Sequence, residues 1–378
     1  MGDLSVVSSS TPRSKLNLFI TMHLFLIYFF LFPVSQAIYV GTILLPHGDF
    51  AWDPEFCAPG TRERNVAEEI SSMARRTARW LLDQNPDVVL LTTPHGLQLD
   101  YDYGIYHSDR GSGSVSIGQD LIPDDDSSNC NSRIKAPYDV SPADLKLANT
   151  SIGEDLLKFL KHMDNHHPVS AIYSPNEDTP VPLYWGEIIP LLILLEESQK
   201  AGLEGDPLPF RPLIWTFPHR RYTQSFEMVP ELLRLGADIM TWIRQRPEHI
   251  AIVVSGDLSH THLKNGPYGY SAASTLFDKA IESWIGHRRG PCQPEAEASL
   301  LDDTTHLQQR AMSCGFTGYV LWHGMMMCHN TDAPHFQSLL LANGNVTYYG
   351  MCCAFFEEIP PSTTITNKRR SSSMAQTV

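Results

Sequence analysis

Four histidines stand directly after stretches of apolar, β-branched sequence. They are His47 in Leu45-Pro46-His47-Gly48-Asp49, His95 in Thr93-Pro94-His95-Gly96, His219 in Phe217-Pro218-His219, and His260 in Ser255-Gly256-Asp257-Leu258-Ser259-His260. Neutral imidazole is the commonest protein ligand for iron, copper or zinc, and Pro-His-Gly keeps the backbone stiff before the ring and open after it. Taken alone, a Pro-His is more often a capping or loop histidine; several such ends together point to a shared metal ion. Asp257 lies three residues before His260 and can ligate, orient an imidazole or cap a helix. His219 is the weakest of the four, because Arg220 and Arg221 follow it and predict an exposed turn. His262 and the pair His166-His167 read as solvated, while His107 borders a Gly/Ser-rich stretch and is a candidate substrate contact.

Residues so far apart in sequence meet only if the chain brings them to one rim. Apolar runs over 38–46, 87–93, 168–173, 211–217 and 250–255 read as strands, and they alternate with helical periodicity over 65–84, 145–163, 185–199, 225–244 and 272–285. The 65–84 stretch places Val66, Ile70, Met73, Ala74, Ala78 and Leu81 on one helix face. Strands that are apolar throughout and separated by helices predict an α/β fold: a three-layer domain with a largely parallel central sheet flanked by helices. In such a sheet the residues just past the carboxyl ends of the strands gather where ligands bind. The Gly-, Ser- and Asp-rich stretch 109–132 reads as a long loop over one edge.

The remaining features set limits. A formal charge of −14 over 378 residues argues against nucleic acid as a partner, since phosphate binding needs a basic face. Arg13 and Lys15 precede an apolar run from Leu18 to Phe32 and then Ser35-Gln36-Ala37, the pattern of a secretory signal. That run of about 15 residues is short of the ~20 that a spanning helix needs. Residues 1–37 therefore read as a signal peptide or, if uncleaved, an N-terminal anchor giving membrane association, and the chain is expected in the secretory pathway or outside the cell. The sequons Asn149-Thr150-Ser151 and Asn345-Val346-Thr347 are compatible with export. Seven cysteines include no CxxC pair, so a structural zinc site is not expected, and Cys352-Cys353 reads as part of a buried strand. Residues 38–358 form the expected domain, and 359–378, rich in Ser and Thr, read as a disordered tail.

Gly256-Asp257-Leu258-Ser259-His260, followed by Gly266-Pro267-Tyr268-Gly269-Tyr270 and Phe277-Asp278, resembles the signature of the class III extradiol ring-cleavage dioxygenase catalytic (B) subunit superfamily, nearest its Memo-like and AMMECR-linked branch. Leu45-Pro46-His47, Thr93-Pro94-His95-Gly96, Val181-Pro182-Leu183, Ala311-Met312-Ser313-Cys314-Gly315-Phe316 and Tyr348-Tyr349-Gly350 extend the likeness in order along the chain. The resemblance implies that His47 and His95 ligate a metal, that His260 is a catalytic acid/base or a further ligand, and that Asp257 lies beside the ion. Cys314 stands roughly where ring-cleaving members carry a late glutamate; it is either a thiolate ligand or a buried free thiol. The implied activity is that of a non-haem Fe(II) oxidoreductase cleaving a catecholic aromatic with O2, in aromatic compound metabolism, with Tyr268 or His107 near the ring. Copper or zinc stand behind iron as the metal. Ring-cleaving relatives commonly carry Asp-His-Gly before the Val-Pro-Leu block, whereas this chain has Glu177-Asp178-Thr179. The alternative is therefore a Memo-like iron- or copper-binding redox or signalling protein without ring cleavage, and a third reading is a metal-free binding module.

Overall fold

A computed structural model describes residues 39–119, 129–142, 144–148, 150–176, 178–328 and 335–359. The expected signal or anchor and, apart from Ile359, the expected tail lie outside the described residues. In chain order the strands are β1 (Tyr39–Leu45), β2 (Val88–Thr93), β3 (Tyr103–His107), β4 (Arg110–Ser112), β5 (Val115–Ile117), β6 (Tyr138–Val140) and β7 (Leu145–Lys146). They continue with β8 (Val169–Tyr173), β9 (Val181–Pro182), β10 (Arg211–Thr216), β11 (Ile250–Ser255), β12 (His335–Asn345) and β13 (Gly350–Ile359).

Eight of them build one sheet in the order β12-β13-β1-β11-β2-β10-β3-β8. The pairs β1-β11, β11-β2, β2-β10 and β3-β8 are parallel, but β12-β13, β13-β1 and β10-β3 are antiparallel. The sheet is mixed, which corrects the expectation of a largely parallel one. Two additions cause the difference. The β12-β13 pair needs only residues 346–349 to reverse, as antiparallel neighbours allow, and it docks on β1. β3, five residues long, runs against β10 before the stretch read as loop. That stretch also holds β4 and β5, which pair with β7 and β9 and with β6.

Alternation along the central strands feeds two cores. Leu44, Leu90, Trp215, Ile252 and Val254 face one, against Ile239, Trp284 and Trp322. Ile43, Leu45, Leu91, Ile214 and Val253 face the other, against Ile70, Ala74 and Ile189. Each such aliphatic side chain contributes roughly 1.5–3 kcal/mol by leaving water. The helices Val229–Ile243, Ala273–Ile285 and Phe316–Met325 cover the first face, and Arg62–Leu82 and Trp185–Lys200 the second. Thr61 caps Arg62–Leu82 by accepting from Arg64 N at 3.2 Å. No helix among the described residues is long and apolar enough to cross a membrane.

Candidate metal centre

β1, β11 and β2 are consecutive parallel neighbours in level register, with Leu45 opposite Ser255 and Val254 opposite Thr92. His47, Asp257 and His95 each stand two residues beyond the end of their strand, so all three emerge on one rim. His260 follows on the turn after β11. Cys314 arrives separately, between the helices Thr304–Ala311 and Phe316–Met325. Its approach depends on two glycines packed back to back: a Cβ on Gly256 would lie 2.5 Å from Gly315 Cα. With no side chains between them, Gly315 N donates to Asp257 O at 3.0 Å, Asp257 N donates to Cys314 Sγ at 3.2 Å, and His260 N donates to Ala311 O at 2.8 Å.

The donors form two overlapping groups, His47/His95/Cys314 and Asp257/His260/Cys314, and within each group the ligand atoms lie within 4.8 Å of one another. His47 Nε2 is 3.4 Å from Cys314 Sγ and 3.5 Å from Asp257 Oδ2. Ligands bound at ~2.0–2.3 Å to one tetrahedral ion are spaced about that far apart. The tautomer of His47 follows from its partners. Ser255 Oγ gives its proton to Gly186 O at 2.6 Å, so it accepts from His47 Nδ1 at 2.8 Å. The lone pair of Nε2 therefore points at the thiol and the carboxylate. On the other side, His260 Nδ1 is buried with no hydrogen-bond partner. The His260 ring stands beside a thiol and a carboxylate, and a donor set of imidazoles, thiol and carboxylate fits iron, copper or zinc.

The electrostatics agree with that fit. Burial, reinforced by Arg221 and the neighbouring histidines, lowers His47 well below the usual imidazole range and His95 to about 3. Burial likewise takes His260 down to about 4, so all three rings are neutral and ready to ligate at neutral pH. Burial pushes Asp257 up to about 7, against backbone N–H groups of His47 and Gly48 that favour its charge. The Cys314 thiol is raised by burial and then by the nearby Asp257 carboxylate. Burial disfavours the charged form of both donors, and a bound cation would relieve that cost.

Neighbouring side chains hold this arrangement in place. Asp278 clamps the turn after β11: Oδ1 accepts from Ser259 N at 3.0 Å and Ser259 Oγ at 2.7 Å, and Oδ2 meets His262 Nε2 at 2.7 Å. His262 is thus a half-buried structural partner rather than a solvated residue. His167 is buried and bonds Asp238 at 2.6 Å, correcting the same reading. Trp185 Nε1 donates to His47 O at 2.5 Å. Behind His95, Leu97 N donates to Tyr106 Oη at 2.7 Å, and that hydroxyl donates to Glu187 Oε1 at 2.9 Å. Glu187 is completely buried, which pushes its carboxyl up to about 7.

Two cavity lobes meet at the donors. One, of about 470 Å³, is lined by His95, His260, Cys314, Arg221 and Phe226 among others. The other, of about 440 Å³, is lined by His47, Asp257, Trp185, Tyr348 and Tyr349. His95, His260 and Tyr268 belong to both. The Tyr268 ring lies 6.0 Å from that of His260, so the expected substrate contact is at the cleft. His107 is absent from both linings and packs on Tyr173 at 4.8 Å. His219 is exposed and lines neither lobe. Its neighbour Arg221, expected in an exposed turn, is buried against the cleft. Nothing local in Pro-His-Arg-Arg-Tyr distinguishes it from Arg220, which is held by Glu231 at 2.7 Å.

No family model matches the chain. The sequence is similar to Protein CA_C1420 of Clostridium acetobutylicum, 23% identical over 252 residues that cover 64% of this chain and 43% of that protein. The chain thus spans less than half the length of the curated relative it matches. Among solved structures it is similar to the uncharacterized protein JW3007 of Escherichia coli K12, at 10% identity and a TM-score of 0.44, over 84% of this chain and 99% of that one.

Proposed function

We propose that this chain is a metalloprotein binding one redox-active ion, iron or copper, at the strand-end rim, and that it works as a redox protein similar to the Memo-like branch of the extradiol superfamily. The observation that carries this reading is the convergence of His47, His95 and Cys314 within 4.8 Å of one another. His47 Nε2, an imidazole nitrogen of His95 and Cys314 Sγ would hold the ion, with Asp257 and His260 adjoining from the turn after β11. The ion when bound supplies electron transfer and Lewis acidity. Two imidazoles and a thiol favour iron or copper over the hard cations that oxygen ligands select. The residues do the rest. Ser255 and Trp185 orient His47, burial keeps the imidazoles unprotonated, and Asp257 beside Cys314 sets the charge that the cation meets. The disulfides Cys57–Cys130 and Cys292–Cys328 support an oxidising compartment, consistent with export.

The second reading is oxidative cleavage of a catecholic ring, favoured by the two lobes that meet at His260. There His260, uncharged at neutral pH, would take a proton from a catechol hydroxyl, while Tyr268 and Tyr349 would wall the ring. One experiment separates the readings: anaerobic loading with Fe(II) or Cu(I), then exposure to air with a panel of catechols. The leading reading expects stoichiometric metal that cycles between oxidation states, with no ring-fission absorbance. Ring-fission product from any catechol selects the second reading, and failure to hold either metal contradicts both.

A further inference from the structure

We propose that Arg221 anchors a carboxylate carried by the small molecule that enters the lobe lined by His95 and Cys314. This deepens the reading above by naming the substrate's charge, and it rests on that reading only for what lies beside the anion. Arg221 keeps 5% of its exposure. Its Nη2 donates to Pro94 O at 2.7 Å, its Nε is buried without a hydrogen-bond partner, and the Tyr222 ring lies 3.9 Å from its guanidinium. No carboxylate among the described residues stands within ion-pair distance of it. Its counterparts differ: Arg220, Arg244 and Arg246 each pair with a glutamate, Glu231, Glu358 and Glu248. A guanidinium does not shed its proton, and burying one unpaired is costly, so the charge awaits a partner.

The cavity suits that partner. At about 470 Å³ it falls in the range of small-molecule sites. Arg221 is the one Lys or Arg in its lining, and the carboxylate there, Glu227, is exposed. The fork of one guanidinium fits either a carboxylate or a phosphate, but its single charge is balanced by a carboxylate and exceeded by a phosphate dianion. Phe226, Tyr222 and Tyr268 add flat apolar surface for a ring. Cys314 shares the lining, so the rival role for Arg221 is to balance the thiolate.

The test is calorimetric titration of the full chain, metal-loaded and chelator-treated, with benzoate and with its neutral isostere benzamide. Benzoate is expected to bind about ten-fold more tightly or better, as a charge-assisted bond implies. The preference should persist after metal removal and vanish in Arg221→Gln. Arg221→Lys, which keeps the charge but loses the fork, should lower it several-fold and serves if Arg221→Gln does not fold. Equal binding of the two probes overturns the proposal. So does a preference that needs metal and survives in both variants, because the carboxylate then sits on the ion. A chain that holds no metal yet prefers benzoate through Arg221 refutes the metalloprotein reading and leaves this one standing.

Discussion

At the scale of single residues, Ser255 decides which nitrogen of His47 faces the other donors. Removing the hydroxyl in Ser255→Ala frees Nδ1 and lets the ring turn over. Loss of such a supporting hydrogen bond typically costs about 10–100-fold in metal affinity, so chelator competition should show a drop in that range; an unchanged affinity would contradict the assigned tautomer. His260 gives a pH signature. Its folded value is about 4, against the ordinary imidazole value of 6.5. Between these, the unfolded chain binds a proton that the folded chain does not, so His260 weakens the fold as pH falls from 6.5 and the loss is complete below about 4. In metal-free protein, His260→Gln should flatten the fall in melting temperature over that window and leave the slope above pH 7 as it is in the wild type. A variant whose pH profile parallels the wild type would show that the ring is not held neutral.

At the scale of elements, the contact between the turn after β11 and the start of Phe316–Met325 brings the thiol to the rim. A Cβ on Gly315 would lie 2.4 Å from Tyr319 Oη and 2.9 Å from Asp257 O. Gly315→Ala is expected to cost about 1–3 kcal/mol through overpacking and to weaken metal binding through Cys314. Denaturant titration with metal analysis checks both, and full stability with full metal content would argue against so close an approach. Much of this level was legible in the sequence. Helices occur near 65–84, 185–199, 225–244 and 272–285, where apolar spacing predicted them, and β1, β2, β10 and β11 end where Pro or Gly breaks an apolar run. β12 escaped notice because Gln, Ser, Asn and Gly interrupt it, and β3 because five residues before a polar stretch leave little periodicity to read. Both add antiparallel pairs, which is how a sheet expected to be largely parallel became mixed. His262 and Arg221 are not legible in the sequence for another reason: their surroundings are created by Asp278 and by the cleft wall, neither of which is near in sequence.

At the scale of the whole molecule, Cys57–Cys130 ties the segment after β1 to the edge of the region around β5 and β6. Gly118 N donates to Asp49 Oδ2 at 2.8 Å, and Asp49 and Val115 line the lobe beside His47. The bond joins residues 73 apart in sequence, and its replacement by serines is expected to remove about 2–5 kcal/mol. Thermal melts of Cys57→Ser/Cys130→Ser should show the loss, and an unshifted melting temperature would mean that the link closes a region already fixed by packing. Whether one ion sits at this one rim is tested most directly by elemental analysis of anaerobically purified protein. Close to one iron or copper per chain is expected in the wild type, and none in His47→Ala/His95→Ala or in Cys314→Ala. A wild type without stoichiometric metal, or variants that retain it in full, would contradict the site.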